Sequence, residues 1–138
     1  MSTVEMTPPK PVQRWQADDY AVKGRFVSEL ARPVVDLLAP RKGERILDLG
    51  CGDGTTAMPL ALLAAEVTGI DIARNLVEAG NRRAAEAGLD RLKFHEGDAC
   101  NLDGVEDDSF DLTLSVFGAM FAPKPLDVAK EMVRVTKP

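Results

Sequence analysis

Apolar residues along this chain fall into two alternating patterns, short continuous runs and longer stretches with a spacing of three and four. The short runs predict four strands, over residues 45–49, 66–70, 92–95 and 110–115. The helical spacing predicts helices over about residues 55–64, 73–87 and 123–135. Strands that alternate with helices are expected to be parallel, because parallel neighbours cannot be joined by a tight turn. Right-handed crossovers then predict an α/β fold with a mostly parallel sheet in the order 3-2-1-4.

The part of the chain before the first strand has a different pattern. Residues 1–13 carry three prolines among polar residues and are predicted to be a disordered lead-in. Residues 14–40 are predicted to be a helical segment with one apolar face, kinked or divided at Pro33. Residues 41–138 are predicted to form the domain that contains the sheet.

Composition narrows the possible classes of protein. The 138 residues make one domain, and the net charge of −5 argues against nucleic-acid binding through bulk positive charge. No run reaches the roughly 20 apolar residues that a membrane span needs. The cysteines, Cys51 and Cys100, do not form a CxxC pair, so neither a disulfide scaffold nor a metal site is expected. The first residues lack the pattern of a signal peptide, and the expected compartment is therefore the cytoplasm.

The central motif is the run D-L-G-C-G-D-G-T at residues 48–55, between the first strand and the following helix. Ligands of open α/β sheets bind beyond the carboxyl ends of the strands, where glycines let the backbone approach them closely. A dinucleotide-binding loop, G-x-G-x-x-G, requires its third glycine at position 55, but that residue is Thr55 and the glycine is Gly54. The carboxylate of Asp48 suits a ligand with an ammonium group and repels a pyrophosphate. The loop therefore favours S-adenosylmethionine over NAD.

Acidic residues also follow the second and third predicted strands. Asp71 ends the second strand, where a carboxylate accepts hydrogen bonds from ribose hydroxyls; the alternative is an acid at a helix N-terminus. Asp98 lies just past the third strand, where it can accept from an adenine amino group while the N–H of Ala99 donates to a ring nitrogen. Three acids after three successive strands indicate one binding edge.

These motifs carry a resemblance to a known family. Residues 44–57, 69–73, 97–99 and 110–138 are similar to the successive motifs of class I S-adenosylmethionine-dependent methyltransferases, nearest to the small-molecule group of ubiquinone and menaquinone biosynthesis. The resemblance implies a Rossmann-like three-layer sandwich. It also implies that the glycine loop and the backbone of Ser115 meet the methionyl part, while Ile72 and Leu76 flank the adenine. The implied cofactor residues are Asp48, Gly50, Cys51, Gly52, Gly54, Thr55, Asp71, Ile72, Leu76, Asp98, Ala99 and Ser115.

Reactive and aromatic side chains outside the loop have ordinary explanations as well as functional ones. Methyl transfer from a sulfonium depends on holding the reactants in line, so no base or triad is required and no catalytic residue is predicted. His95 is expected at a strand end, and Arg83, one of two adjacent arginines, on the solvated face of a helix. Phe117 and Met120 follow the fourth strand and are candidates for the acceptor side, or else for core packing. Tyr20 is a candidate for a lid.

The end of the chain bears on the expected function. In the methyltransferases that it resembles, the stretch at residues 135–138 leads into a fifth strand of a seven-stranded sheet, so an incomplete domain is expected. The fourth strand is then expected to be an exposed edge through which copies self-associate. Three functions stay open. They are methyl transfer to a small-molecule acceptor, cofactor binding without turnover and, disfavoured by Thr55 and Asp48, NAD-dependent oxidoreduction.

Overall fold

The computed structural model describes residues 32–63 and 65–138. Its strands are β1 (Arg45–Leu49), β2 (Glu66–Asp71), β3 (Leu92–Glu96) and β4 (Leu112–Leu114). Its helices are α1 (Arg32–Leu38), α2 (Ala57–Leu62), α3 (Arg74–Glu86) and α4 (Pro125–Val135), with a 3₁₀ turn at Ala119–Phe121. Within these ranges, no helix is long and apolar enough to cross a membrane. The predicted lead-in, Tyr20 and most of the predicted N-terminal helical segment lie outside the described residues.

The sheet has the predicted topology. The four described strands are parallel in the order β3-β2-β1-β4, with β1 in the interior. Because successive side chains of a strand point to opposite faces, β1 contributes Ile46 to one core and Leu47 to the other. Helices α2 and α3 cover the first face through residues such as Leu60 and Val77, and α4 covers the second through Val128. The predicted three-layer α/β sandwich is therefore confirmed.

The fourth strand is shorter than predicted. It covers residues 112–114 rather than 110–115, because the backbone of Phe110 pairs with the last residue of α4 and the residues after it. The N–H of Phe110 donates to the carbonyl of Val135 at 2.9 Å, and its carbonyl accepts from the N–H of Lys137 at 2.9 Å. No further strand lies beyond β4 among the described residues. Self-association through this edge stays a prediction.

Arg134 of α4 contacts the loop between β3 and β4 at several points. The guanidinium of Arg134 donates to the carbonyl of Val105 at 2.7 Å and to that of Leu102 at 3.2 Å. It also forms ion pairs of 2.8 Å with Asp107 and with Glu131 on its own helix. Because this loop begins at the end of β3, Arg134 helps to order the segment that carries Asp98 and Ala99.

The outer edge of β3 is covered by one side chain of α3. The amide of Asn81 accepts from the N–H of Phe94 and donates to its carbonyl, each at 3.0 Å. Both backbone groups point away from β2, where an edge strand otherwise leaves them open to another chain. Asn81 therefore takes the place of a neighbouring strand at this position.

We expect Asn81→Ala to lower the free energy of unfolding by about 1–2 kcal/mol, since two backbone groups lose their partner. Urea unfolding followed by circular dichroism measures the change. Arg82→Ala, at an exposed position of the same helix, is the control and should change stability by less than about 0.5 kcal/mol. Equal stability of the two variants would contradict a role for Asn81 at the edge.

Candidate functional site

The glycine loop lies at the carboxyl ends of β1 and β2. After Leu49 the chain turns across the end of β2, and the N–H groups of Gly50 and Cys51 both donate to the carbonyl of Ile70, at 2.8 and 3.2 Å. Three glycines of the loop have positive φ, namely Gly50 (69°), Gly52 (57°) and Gly54 (92°). A residue with a Cβ is strained in this conformation, which explains why the run needs glycine at each of these positions.

Asp71 ties the loop to β2. One oxygen of its carboxylate, Oδ2, accepts from the N–H of Gly52 at 2.9 Å, and the other, Oδ1, accepts from the N–H of Ala73 at 2.9 Å. Each carboxylate oxygen has a second lone-pair site, and the side chain is only partly buried. The carboxylate therefore retains acceptor capacity for a ligand while it holds the loop in place. Sequence reasoning predicted the first property and missed the second.

Asp48 is enclosed beneath the loop. It is only 1% exposed, and its Oδ2 atom has no hydrogen-bond partner among the described residues. Burial, together with the nearby carboxylate of Asp71, raises the pKa of Asp48 from an ordinary 3.8 to about 7. A buried polar atom without a partner is costly, and in native proteins it needs a specific explanation such as a bound ion or ligand.

The support of the loop comes from Phe94, which sequence reasoning did not connect with the site. Its ring lies against three glycines from three elements, and a Cβ added at Gly54 or Gly69 would lie 2.5 Å from a ring carbon. A Cβ added at Gly80 of α3 would lie 3.0 Å from the ring. Gly54, which the sequence analysis connected with the ligand, is thus also required by its packing against the ring of Phe94. The signal in the sequence was a glycine in each of three neighbouring elements.

The segment after β4 lies directly on the loop. The hydroxyl of Ser115 donates to the carbonyl of Leu49 at 2.7 Å and accepts from the N–H of Ala119 at 2.8 Å. The backbones of Gly50 and Gly118 meet so closely that a Cβ added at Gly50 would lie 2.6 Å from the Cα of Gly118. Ser115 therefore lies beside the loop, as the resemblance implied. Its side chain, in addition, joins the first strand to the segment that carries the predicted acceptor residues.

The position of Arg83 differs from the predicted one. It was expected on the solvated face of α3, but its guanidinium donates to the carbonyl of Asp53 at 2.8 Å and pairs with its carboxylate at 3.1 Å. The Asp53 carboxylate also accepts from the Thr55 hydroxyl at 3.1 Å. The prediction was wrong because helical spacing does not show that this face of α3 meets the loop.

The remaining predicted cofactor residues lie along the same edge. The N–H of Gly97 donates to the carbonyl of Asp71 at 2.9 Å, which places Asp98 and Ala99 beside the end of β2. The Asp98 carboxylate is exposed and accepts from the N–H of Cys100 at 2.8 Å. Ile72 is 60% exposed at this edge, whereas Leu76 is 2% exposed and packs inside the protein.

The predicted acceptor residues are exposed beside the loop. Phe117 is 49% exposed and Met120 is 68% exposed. The backbone of Phe117 has a φ of +58°, a conformation that is unusual for an aromatic residue and that occurs next to functional sites. Burial raises the pKa of the Cys51 thiol well above its ordinary value, which agrees with the prediction that Cys51 contributes backbone rather than a nucleophile.

A separate cleft of about 640 Å³ lies on the face of β2 and β3 that is opposite to the ring of Phe94. Arg45, Thr68 and the exposed His95 line part of it, and of the predicted cofactor residues it includes Asp98. The glycine loop does not line it. We therefore base the site on the carboxyl ends of the strands, where the glycines, the buried acid and the partly buried acid converge.

A parallel open sheet with these groups at its strand ends defines an α/β protein with a ligand site at that edge. Residues 46–138 match the family described as methyltransferase domain, and the chain belongs to this family. It is 42% identical over 101 residues to demethylmenaquinone methyltransferase from Clavibacter sepedonicus, an alignment that covers 73% of this chain and 40% of that protein. The chain spans 40–45% of the length of the curated relatives that it matches.

Solved structures agree with the family. The cyclase SpnF superposes with a TM-score of 0.73 and 32% identity, over 80% of this chain and 42% of that one. An arsenic(III) S-adenosylmethionine methyltransferase from Chlamydomonas reinhardtii superposes with a TM-score of 0.64 and 33% identity, over 70% of this chain and 36% of that one. The predicted family and fold are thus confirmed. The presence of a cyclase among these neighbours shows that one fold supports different reactions.

Proposed function

We propose that this chain forms the cofactor-binding part of an enzyme that transfers a methyl group from S-adenosylmethionine to a small-molecule acceptor. The observation that carries the proposal is the buried carboxylate of Asp48 beneath a glycine loop, whose Oδ2 has no partner among the described residues. Membership of the methyltransferase domain family and the names of two relatives, acting on demethylmenaquinone and arsenic(III), support the reaction and the class of acceptor.

The residues at the strand ends fit S-adenosylmethionine better than NAD. Asp48 offers a carboxylate to the ammonium group of the methionyl part, and Asp71 has acceptor sites left for the ribose hydroxyls. A pyrophosphate in the same place would be repelled by the Asp71 carboxylate and would bring no cation to the buried Asp48. The glycine loop suits the first ligand because Gly50, Gly52 and Gly54 carry no Cβ, so that a ligand can approach the backbone closely.

In this proposal the bound cofactor supplies a cationic sulfonium with a transferable methyl group. The chain's own residues bind and orient, since in-line transfer depends mainly on placing the acceptor against the methyl carbon. Asp48, Asp71 and the loop hold the cofactor, while Ser115 fixes the position of the segment that presents Phe117 and Met120. The exposed apolar side chains of Phe117 and Met120 favour an apolar or aromatic acceptor.

Titration calorimetry tests the cofactor assignment. We expect S-adenosylhomocysteine to bind and NAD to give no signal under the same conditions. Tight NAD binding without a signal from S-adenosylhomocysteine would contradict the proposal. Transfer of a tritiated methyl group to a panel of small quinols and phenols tests turnover, and binding without transfer to any of them would favour a cofactor-binding chain that does not turn over.

For Asp71→Ala we expect the affinity for S-adenosylhomocysteine to fall by about 1–3 kcal/mol, because ribose hydroxyls and the N–H of Gly52 both lose their acceptor. Calorimetry measures the change. Glu78→Ala, at an exposed position of α3, is the control and should leave the affinity unchanged. An affinity that Asp71→Ala does not alter would mean that the ribose is held elsewhere.

A further inference from the structure

Asp48 is a buried acid, and no cation lies beside it among the described residues. Its neighbours on β2 and β4, Gly69 and Leu114, are uncharged, and α2 carries no titratable residue. From β2 it faces the Asp71 carboxylate, and from the glycine loop the Cys51 thiol, which in turn lies near Asp53. The guanidinium of Arg83, which reaches this region from α3, is paired with Asp53.

Below about pH 7, a carboxyl group in such surroundings is more stable in its protonated form. Desolvation disfavours the charge, Asp71 repels it, and Oδ2 receives no hydrogen bond from the described residues that would stabilise it. The pKa of about 7 expresses this balance for the protein without a ligand. A cation placed against the carboxylate reverses the balance, because an opposite charge nearby favours the ionised form.

We propose that Asp48 holds a proton in the cofactor-free protein and releases it to solvent when the ammonium group of the cofactor binds against its carboxylate. The O–H bond of Asp48 breaks, the proton passes to the buffer, and the ligand's ammonium group keeps its three hydrogens. One buried proton is thus exchanged for one ligand cation. This inference rests on the proposed function, since it concerns the same site.

Because of this exchange, Asp48 distinguishes ligands that carry the ammonium group of the methionyl part from ligands that lack it. S-adenosylhomocysteine carries an ammonium group, whereas 5′-methylthioadenosine has the same adenosyl part without one. The first ligand therefore releases a proton and the second does not. As the pH increases toward about 7, the affinity for S-adenosylhomocysteine should rise about tenfold per pH unit, and above about pH 7 it should stay constant. The affinity for 5′-methylthioadenosine should not change with pH.

Calorimetry in buffers of different ionisation enthalpy counts the protons that binding releases. For the wild-type chain and S-adenosylhomocysteine we expect release of close to one proton at about pH 6 and almost none at about pH 8.5. We expect no release at either pH with 5′-methylthioadenosine. Asp48→Asn should abolish the release, and Asp90→Asn, at an exposed acid outside the site, should preserve it.

The outcomes separate this inference from the proposed function. If S-adenosylhomocysteine binds at about pH 6 without proton release, or if the release persists in Asp48→Asn, the exchange is overturned while cofactor binding stands. If S-adenosylhomocysteine does not bind at any pH, the proposed function fails and the exchange fails with it. Should Asp48→Asn not fold, the comparison of the two ligands on the wild-type chain decides the question alone.

Discussion

Phe94→Ala is expected to lower the free energy of unfolding by about 3–5 kcal/mol, the cost of emptying a buried aromatic site. Phe94 is 3% exposed, and its ring fills the space that Gly54, Gly69 and Gly80 leave open. Because Gly54 belongs to the glycine loop, the loss of the ring also removes the loop's support. We therefore expect the affinity for S-adenosylhomocysteine to fall about tenfold, since a less ordered loop must be fixed on binding.

A second buried phenylalanine provides the control for this experiment. Phe110 is 5% exposed but belongs to the core on the opposite face of the sheet, together with Leu47 and Val135. We expect Phe110→Ala to lower the free energy of unfolding by a similar amount but to leave the affinity for S-adenosylhomocysteine unchanged. The affinities are compared at a temperature where circular dichroism shows both variants folded. Phe94→Leu retains most of the volume and serves if Phe94→Ala unfolds. Equal loss of affinity in the variants at both positions would contradict a specific role of Phe94 beneath the loop.

The second large effect concerns the pH dependence of stability. Between the ordinary pKa of Asp48, 3.8, and its folded-state pKa, about 7, the folded chain binds a proton that the unfolded chain has released. Stability contributed by this group is therefore present at low pH, falls as the pH rises through that window and stays lost above it. About two pH units of this window lie between pH 5 and pH 7, and each unit corresponds to about 1.4 kcal/mol of stability.

Asp48→Asn removes this titration. We expect its gain in the free energy of unfolding over the wild-type chain to be about 2–3 kcal/mol larger at about pH 8.5 than at about pH 5. Denaturant unfolding at the two pH values gives the four free energies that are needed. Asp98→Asn should show no such difference because that carboxylate is exposed. A gain for Asp48→Asn that is the same at both pH values would show that Asp48 is ionised throughout.

The order of the strands and helices followed from the sequence because it depends on periodicity, which is a local property. Apolar runs and helical spacing placed the elements, and the handedness of crossovers gave the order 3-2-1-4. The exact ends of the strands and helices could not be predicted in this way. β4 is short because Phe110 bonds to the chain at the end of α4, where its partner Val135 lies 25 residues away in the sequence.

The candidate site was predicted in part. Asp48, Asp71 and the glycines were identified from their residue types and their positions after strands, and the structure brings them together at one edge. Two contributions were missed or wrong, the ring of Phe94 beneath the loop and the ion pair of Arg83 with Asp53. Both depend on which faces of β3 and α3 meet the loop, and spacing along one element does not contain that information.

The sequence by itself thus determined the fold class, the location of the candidate site and its glycine and acidic residue types. Those features reside in periodicity, in glycines that must adopt positive φ, and in acids at strand ends. Only the tertiary structure decided the environment of each group. It enclosed Asp48 without a hydrogen-bond donor for Oδ2 among the described residues and left Asp71 partly open to accept from the loop. The charge of an acid depends on that surrounding, because burial and neighbouring charges set its protonation, and neither can be read from the order of residues.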